Sequence, residues 1–184
     1  MRKIALLCLL LSGCASPLLK DPAKIMTQMQ QSPDPRTVSL STQNIPRGSV
    51  DGPDDSKTTS AIRCAVTKWT KLPAVCELIV SYEYIGMGSA PDGMVAYLPM
   101  PHRVSERTTT MIDTTAAPCT QPCSQQTRYG IGISEWEMRN IINSYDADGE
   151  DAYTFSIGAG KPTLEATVST DEMEAILRQI KRWR

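Results

Sequence analysis

The stretch AIRCAVTKWTKLPAVCELIVSYEYI, residues 61–85, predicts the β-hairpin around which the rest of the chain folds. Its first part, 61–69, places apolar residues at every second position, which is the spacing of a strand with one buried face. Leu72 and Pro73 indicate a turn. Residues 75–85 are rich in β-branched and aromatic side chains and predict a second, longer strand.

Further strands are predicted on the carboxyl side of this hairpin. Each is a short run of β-branched or alternating residues that ends at Gly, Pro or Asp-Gly. The Thr-rich run is polar enough for the edge of a sheet. These strands cover residues 94–98, 104–112 (the Thr-rich run), 128–133, 152–157 and 163–168, and the last two form a hairpin around Gly158-Ala159-Gly160.

Two helices are predicted to begin at capping boxes. Ser134 with Glu137, and Ser169 with Glu172, place a serine at the N-cap and a glutamate three residues later. Strands mixed with two late helices predict an α+β fold, in which an antiparallel sheet carries both helices on one face. The second helix has an apolar face made of Met173, Ile176, Leu177, Ile180 and Trp183.

The composition narrows the class of protein. The chain has 184 residues, of which 41% are hydrophobic and 21% charged, and its formal net charge is −1. This length suits one domain, and the lack of a basic excess argues against nucleic acid as a partner. The single histidine, His102, excludes any mechanism that needs two.

The N-terminus has the three-part plan of a secretory signal peptide. Arg2 and Lys3 supply the positive start, residues 4–11 are an unbroken apolar run, and two small residues precede Cys14. The run is shorter than the roughly 20 apolar residues of a membrane-spanning helix. Residues 1–13 are therefore predicted to be a signal peptide.

The segment Leu11-Ser12-Gly13-Cys14 resembles the lipobox of bacterial lipoproteins. The resemblance implies that the Cys14 thiol receives a diacylglyceryl group and that the new amino terminus is acylated, with palmitate as an expected chain. These chains would hold the protein in a lipid bilayer. Ala15 follows the cysteine where Asp would favour inner-membrane retention in enterobacterial lipoproteins, so we expect the cell outer membrane, facing the periplasm.

Residues 14–60 are predicted to be the lipidated N-terminus and a flexible tether. All three Trp, all six Tyr and the single Phe lie after residue 60, and the earlier segment is rich in Pro, Ser and Thr. Without aromatic side chains, such a segment buries little surface to offset the entropy lost on ordering. Residues 61–184 are then a single α+β domain in the periplasm.

Four further cysteines indicate disulfide bonds, because an even number in an exported chain is typical of them. They are Cys64, Cys76, Cys119 and Cys123, which allow three pairings. The first two flank the hairpin and the last two share a loop, so local pairing is favoured. The alternative of a four-thiolate zinc site fits poorly, since C-x₁₁-C and C-x₃-C differ from the usual zinc spacings.

No motif in the sequence indicates a catalytic centre, a metal site or a cofactor. An enzymatic or small-ligand pocket would have to use His102 as a general base or the carboxylates Glu77, Glu83 and Asp113. The end of the last helix instead offers candidate contacts with a partner protein, because Trp beside Arg is typical of interface anchors. These candidate contacts are Arg178, Arg182 and Trp183.

The lipid anchor, the tether and the lack of catalytic motifs predict a non-enzymatic binding or assembly factor for another cell-envelope protein. Its plan is comparable with that of accessory lipoproteins in secretion or pilus systems. Two alternatives stay open at this point. One is a periplasmic enzyme or small-ligand binder, and the other is an inhibitor of a secreted enzyme.

Lipidation can be tested by replacing the thiol that carries it. We expect Cys14→Ser to abolish metabolic labelling by a palmitate analogue and to release the protein from the membrane fraction. The matched control is Cys8→Ser, which removes a thiol from the predicted signal peptide and should leave the labelling unchanged. Labelling that survives in Cys14→Ser contradicts the prediction.

Overall fold

The protein structure, a computed structural model, describes residues 21–43, 45–46, 57–85, 94–116, 124–149, 151–159 and 164–184. Within these residues the elements follow each other as α1 (Pro22–Gln28), β1 (Gln30–Pro33), β2 (Thr37–Ser41), β3 (Ile45–Pro46), β4 (Lys57–Thr67), β5 (Val75–Ile85), β6 (Val95–Met100), β7 (Arg103–Thr108), β8 (Thr110–Ala116), β9 (Ser124–Ile133), α2 (Glu135–Asp148), β10 (Ala152–Gly158), β11 (Leu164–Ser169) and α3 (Thr170–Trp183).

The predicted hairpin is present, and its strands β4 and β5 lie in the middle of the larger sheet. That sheet has the order β1-β2-β4-β5-β9-β8, with β3 also paired to β4. A second sheet has the order β11-β10-β6-β7. All the strand pairs are antiparallel, so the α+β class is confirmed, although the predicted single sheet is two sheets.

The helices contact both sheets. α3 packs against α1 and α2, against β2 and β4 of the larger sheet and against β11 of the smaller one, whereas α2 contacts β6 and β10. The predicted arrangement of two helices on one face of one sheet is therefore not confirmed. The physical reason is that α3 is buried well beyond its apolar stripe: Ala175 and Gln179 are as buried as Ile176.

The single strand predicted over residues 104–112 is two strands in two different sheets. β7 pairs with β6 in the smaller sheet, and β8 pairs with β9 in the larger one. The chain changes sheets at Thr109, whose N–H and hydroxyl both donate to the Met94 carbonyl, at 3.1 and 2.8 Å. This change depends on a contact with a distant residue, so the continuous Thr-rich pattern does not reveal it.

Part of the predicted tether belongs to the fold, so a flexible tether over residues 14–60 is not confirmed. Ile25 of α1 is buried, and Val38 and Leu40 of β2 are buried opposite Val66 and Cys64 of β4. Aliphatic residues at strand and helix spacing supply here the apolar surface that aromatic residues supply elsewhere. The absence of aromatic residues is therefore a poor indicator of a tether in this chain.

Both predicted capping boxes are present. At the start of α3 the Ser169 side chain accepts from the N–H of Glu172 while the Glu172 carboxylate accepts from the N–H of Ser169. At the start of α2 the Glu137 carboxylate accepts from the N–H and hydroxyl of Ser134, both at 2.8 Å. The other oxygen of Glu137 pairs with Arg107 of β7, so this carboxylate links the cap to the smaller sheet.

The double role of Glu137 can be tested by truncation. We expect Glu137→Ala to lower the free energy of unfolding by about 2–3 kcal/mol, because it removes a cap of about 1 kcal/mol and a charged hydrogen bond of about 1–2 kcal/mol. The control is Glu174→Ala, which breaks only an exposed pair with Arg178 four residues away and should cost under ~0.5 kcal/mol. Equal losses in urea unfolding would contradict the assignment.

Candidate functional site

A disulfide bond joins the two central strands beside the β4–β5 loop, residues 68–74. Cys64 and Cys76 are direct cross-strand partners with Cα atoms 4.1 Å apart, and both side chains are buried. This predicted pairing is confirmed. Cys119 and Cys123 lie outside the described residues, so their pairing stays a prediction. The bond closes the hairpin three residues before the chain enters the loop.

The first residues of the β4–β5 loop are hydrogen-bonded to two other parts of the fold. The N–H of Lys68 donates to the Arg36 carbonyl at 2.9 Å, and the Lys68 ammonium donates to the Asp34 carbonyl at 2.5 Å. The N–H of Trp69 donates to the Trp183 carbonyl at 3.0 Å. The start of the loop is thus attached to the β1–β2 turn and to the end of α3.

The last residue of the loop is attached through one carboxylate. Glu135, the first residue of α2, accepts from the N–H of Ala74 at 2.9 Å. The same carboxylate takes both terminal nitrogens of the Arg184 guanidinium, and its side chain is only 13% exposed. Two-point contacts of this kind fix geometry as well as charge. Glu135 therefore holds together the loop, α2 and the C-terminal residue.

The Lys68 ammonium lies between two indole rings. Its nitrogen is 5.3 Å from the centre of the Trp183 ring and 5.9 Å from that of Trp69, within cation–π range. Trp183 is partly buried and packs on the core, whereas Trp69 is 76% exposed. The lysine thus contacts both an exposed ring, that of Trp69, and a partly buried one, that of Trp183.

Three large apolar side chains of this region point into solvent. Trp69, Leu72 and Val75 are exposed by 76%, 59% and 70%, and we call them the loop surface. Single exposed apolar residues are ordinary, but a group of them on one segment marks an interaction site. The hydrogen bonds above hold the backbone at Trp69 and at Ala74, the residue before Val75, so the two ends of the loop have little entropy left to lose when a partner binds.

The segments that meet at the loop surface carry exposed cations. Arg36 and Lys71 belong to the β1–β2 turn and to the loop, and Lys181 and Arg182 belong to the last turn of α3. Within the described chain no carboxylate lies within 4 Å of any of these four side chains. Arg36 and Lys71 therefore bring positive charge to the segments beside the loop surface, together with the Asp34 carboxylate of the β1–β2 turn, while Lys181 lines the groove between α2 and α3.

Arg178 and Arg182 are four residues apart and share one side of α3, whereas Trp183 lies on another side. Arg178 forms an ion pair with Glu174 at 2.6 Å and lines the groove between α2 and α3. Arg182 is exposed in the last turn of α3, and Trp183 contacts the loop through its carbonyl and its ring. Their role in binding stays a prediction.

The exposed tryptophan that sequence reasoning missed is Trp69. In a strand assigned to residues 61–69 it counted as the last strand residue, whereas β4 ends at Thr67. Trp69 instead has a left-handed backbone, with φ of 54°. The sequence did contain a signal: this Trp lies between two lysines and next to a turn, where a large ring is no longer part of the buried face of a strand.

His102 is not brought together with the carboxylates considered for enzymatic chemistry, although two of these, Glu77 and Asp113, both lie near Arg63. Glu77 pairs with Arg63 at 2.6 Å, and Asp113 pairs with Arg128, whose hydrogen bond holds the pKa of the Asp113 carboxyl below its usual range. His102 lines a separate cavity to which none of the three carboxylates, Glu77, Glu83 or Asp113, contributes. Among the described residues that line this cavity, none is a carboxylate that could orient the histidine.

Among the described residues, no group of three or more His, Cys, Asp or Glu side chains is placed to bind a metal ion. No helix of the same part of the chain has the length and apolar character needed to cross a bilayer. Cys14 and the signal segment lie outside the described residues.

No family model matches the chain, and none of the curated proteins or solved structures with which it was compared shows a significant similarity.

The contribution of the disulfide can be measured directly. We expect Cys64→Ala with Cys76→Ala to lower the free energy of unfolding by about 2–3 kcal/mol, because the unfolded chain regains the entropy of an open loop of about 12 residues. Alanine is used in place of serine because serine would bury two hydroxyl groups at these positions. A reducing agent should destabilise the natural protein in urea unfolding but have a smaller effect on the double variant. A difference below ~1 kcal/mol contradicts the expectation.

Proposed function

We propose that this protein is a lipid-anchored, non-enzymatic binding or assembly factor for another protein of the bacterial cell envelope. Acyl chains on Cys14 fix it to the outer membrane, and its folded part faces the periplasm. The observation that carries the proposal is the loop surface: three exposed apolar side chains on a backbone that is tied to the disulfide, to α2 and to α3.

The rigidity of the loop supports binding rather than catalysis. A surface that is already in its bound shape loses less conformational entropy on association than a mobile one. Trp is among the side chains that contribute most to protein interfaces. The exposed ring of Trp69 contacts the Lys68 ammonium, and its N–H donates to the Trp183 carbonyl. The residues predicted for a catalytic pocket lie apart from it.

The exposed cations around the loop surface indicate an acidic partner. Arg36, Lys71 and Arg182 are exposed and lack carboxylate partners among the described residues. A partner with an apolar pocket bordered by Asp and Glu complements both features, since opposite charges at the rim raise the rate of association and select the partner. We therefore assign the occupant as an acidic surface of an envelope protein.

The proposal predicts which variants lose the partner. We expect Trp69→Ala with Leu72→Ala to reduce recovery of a cross-linked envelope protein from intact cells about tenfold or more, because these side chains form the apolar centre of the contact. The affinity tag belongs between Leu18 and Leu19, since the C-terminal residues take part in the site. Unfolding of the purified variant by urea should match that of the natural protein.

The matched control is Trp136→Ala. This tryptophan is 66% exposed on α2 and belongs to a different surface, so its loss should leave recovery unchanged.

The charges can be tested in the same assay. Lys71→Glu with Arg182→Glu should abolish recovery of the envelope protein, and reversal of an acidic patch on that protein should restore it. Equal losses for the Trp69 and Trp136 variants contradict the proposal. The proposal is also contradicted if the loop-surface variants recover the envelope protein normally and lose only the binding of anionic phospholipid vesicles. That result would make the loop surface a membrane contact.

A further inference from the structure

A second concave site lies between α2 and the turn that joins β6 to β7. It has a volume of about 470 Å³, within the usual range for ligand pockets. One wall is a stripe along α2, with residues spaced so that they share one helix face. The other wall is the β6–β7 turn. The residues used below are His102, Arg103, Trp136, Asn140, Asn143 and Ser144.

The polar side chains that line this cavity have no partners among the described residues. Asn140, Asn143 and Ser144 of α2, and His102 and Arg103 of the turn, form no side-chain hydrogen bond or ion pair with other described residues. Beside them the Trp136 ring is 66% exposed. An exposed indole next to several free hydrogen-bonding groups suits a small polar ligand that also has an apolar face.

The backbone at His102 supports a role for its side chain. β6 and β7 are joined by Pro101 and His102 alone, since Met100 and Arg103 are paired. His102 has φ of 73°, the left-handed region that Gly or Asn normally takes at this place in a turn that begins with Pro. A histidine here costs backbone energy that a glycine would not. Such outliers are concentrated at ligand sites.

The geometry points to a saccharide that contains N-acetylated amino sugars as the ligand of this cavity. Sugar hydroxyls both donate and accept hydrogen bonds, as do the two Asn amides, the Ser hydroxyl and a neutral His. The C–H face of a pyranose ring is weakly positive and packs on the negative face of an indole such as Trp136. An acetamido group pairs its N–H and C=O with a side-chain amide of Asn140 or Asn143.

An anionic ligand fits the cavity less well. A phosphate or carboxylate only accepts hydrogen bonds, so it would use the amide N–H groups of Asn140 and Asn143 and leave their acceptor oxygens without a donor from the ligand. Arg103 is the one guanidinium among the lining residues, and it can equally donate to the ring and hydroxyl oxygens of a neutral sugar. The balance of donors and acceptors therefore favours a neutral saccharide.

The test is a binding titration of the full-length protein in detergent with the β-1,4-linked tetramer of N-acetylglucosamine. We expect a Kd of about 1 mM or lower, read from calorimetry or from tryptophan fluorescence. Trp136→Ala should weaken binding at least about tenfold, and Trp69→Ala, which removes a more exposed ring on the loop surface, should not. The matching tetramer of glucose, which lacks the acetamido groups, should bind several-fold more weakly.

A second variant separates a ligand role from a structural one. His102→Gly removes the ring and relieves the left-handed backbone, so it should keep or raise the stability of the protein while weakening the binding of the tetramer. No binding of the N-acetylglucosamine tetramer overturns the proposal, as does an equal loss in the Trp69 and Trp136 variants. Equal binding of the glucose tetramer overturns the assignment of amino sugars. None of these outcomes affects the proposal for the loop surface.

Discussion

The bond between Cys64 and Cys76 lies where the two central strands give way to an irregular loop, and the main functional surface depends on it. It fixes the base of the loop, while the carbonyl of Trp183 and the carboxylate of Glu135 hold its two ends. The chain can therefore expose Trp69 without the loss of order that usually accompanies an exposed segment. The last residues of the protein serve as a support for a loop more than a hundred positions earlier in the sequence.

The two proposed sites share the first turn of α2. Glu135 faces the loop and the C-terminus, whereas its neighbour Trp136 faces the cavity at the β6–β7 turn. Successive residues of a helix point about 100° apart, so one short segment can serve two surfaces. Glu137, the next residue, faces inward to cap the helix and to bind Arg107. This turn therefore combines a structural role with contributions to two separate surfaces.

Local chemistry made much of the fold predictable, and contacts between distant residues account for the rest. The capping boxes at Ser134 and Ser169 and the cross-strand cysteines follow from residues close in the sequence, and they are present as predicted. The change of sheet at Thr109 depends on a bond to Met94, and the order of residues 22–41 depends on α3 and β4. Trp69 was missed because its strand was assigned two residues too long: β4 ends at Thr67, and the N–H of Trp69 instead donates to Trp183.

The central claim, that the loop holds its binding shape before any partner arrives, is tested most directly by amide hydrogen exchange in the free protein. The N–H groups of Trp69 and Ala74 are two of the donors that attach the loop. They should exchange far more slowly than the neighbouring N–H of Lys71, for which the structure gives no acceptor among the described residues. Slow exchange at both positions supports a preformed surface. Exchange of Trp69 and Ala74 as fast as that of Lys71 would contradict it.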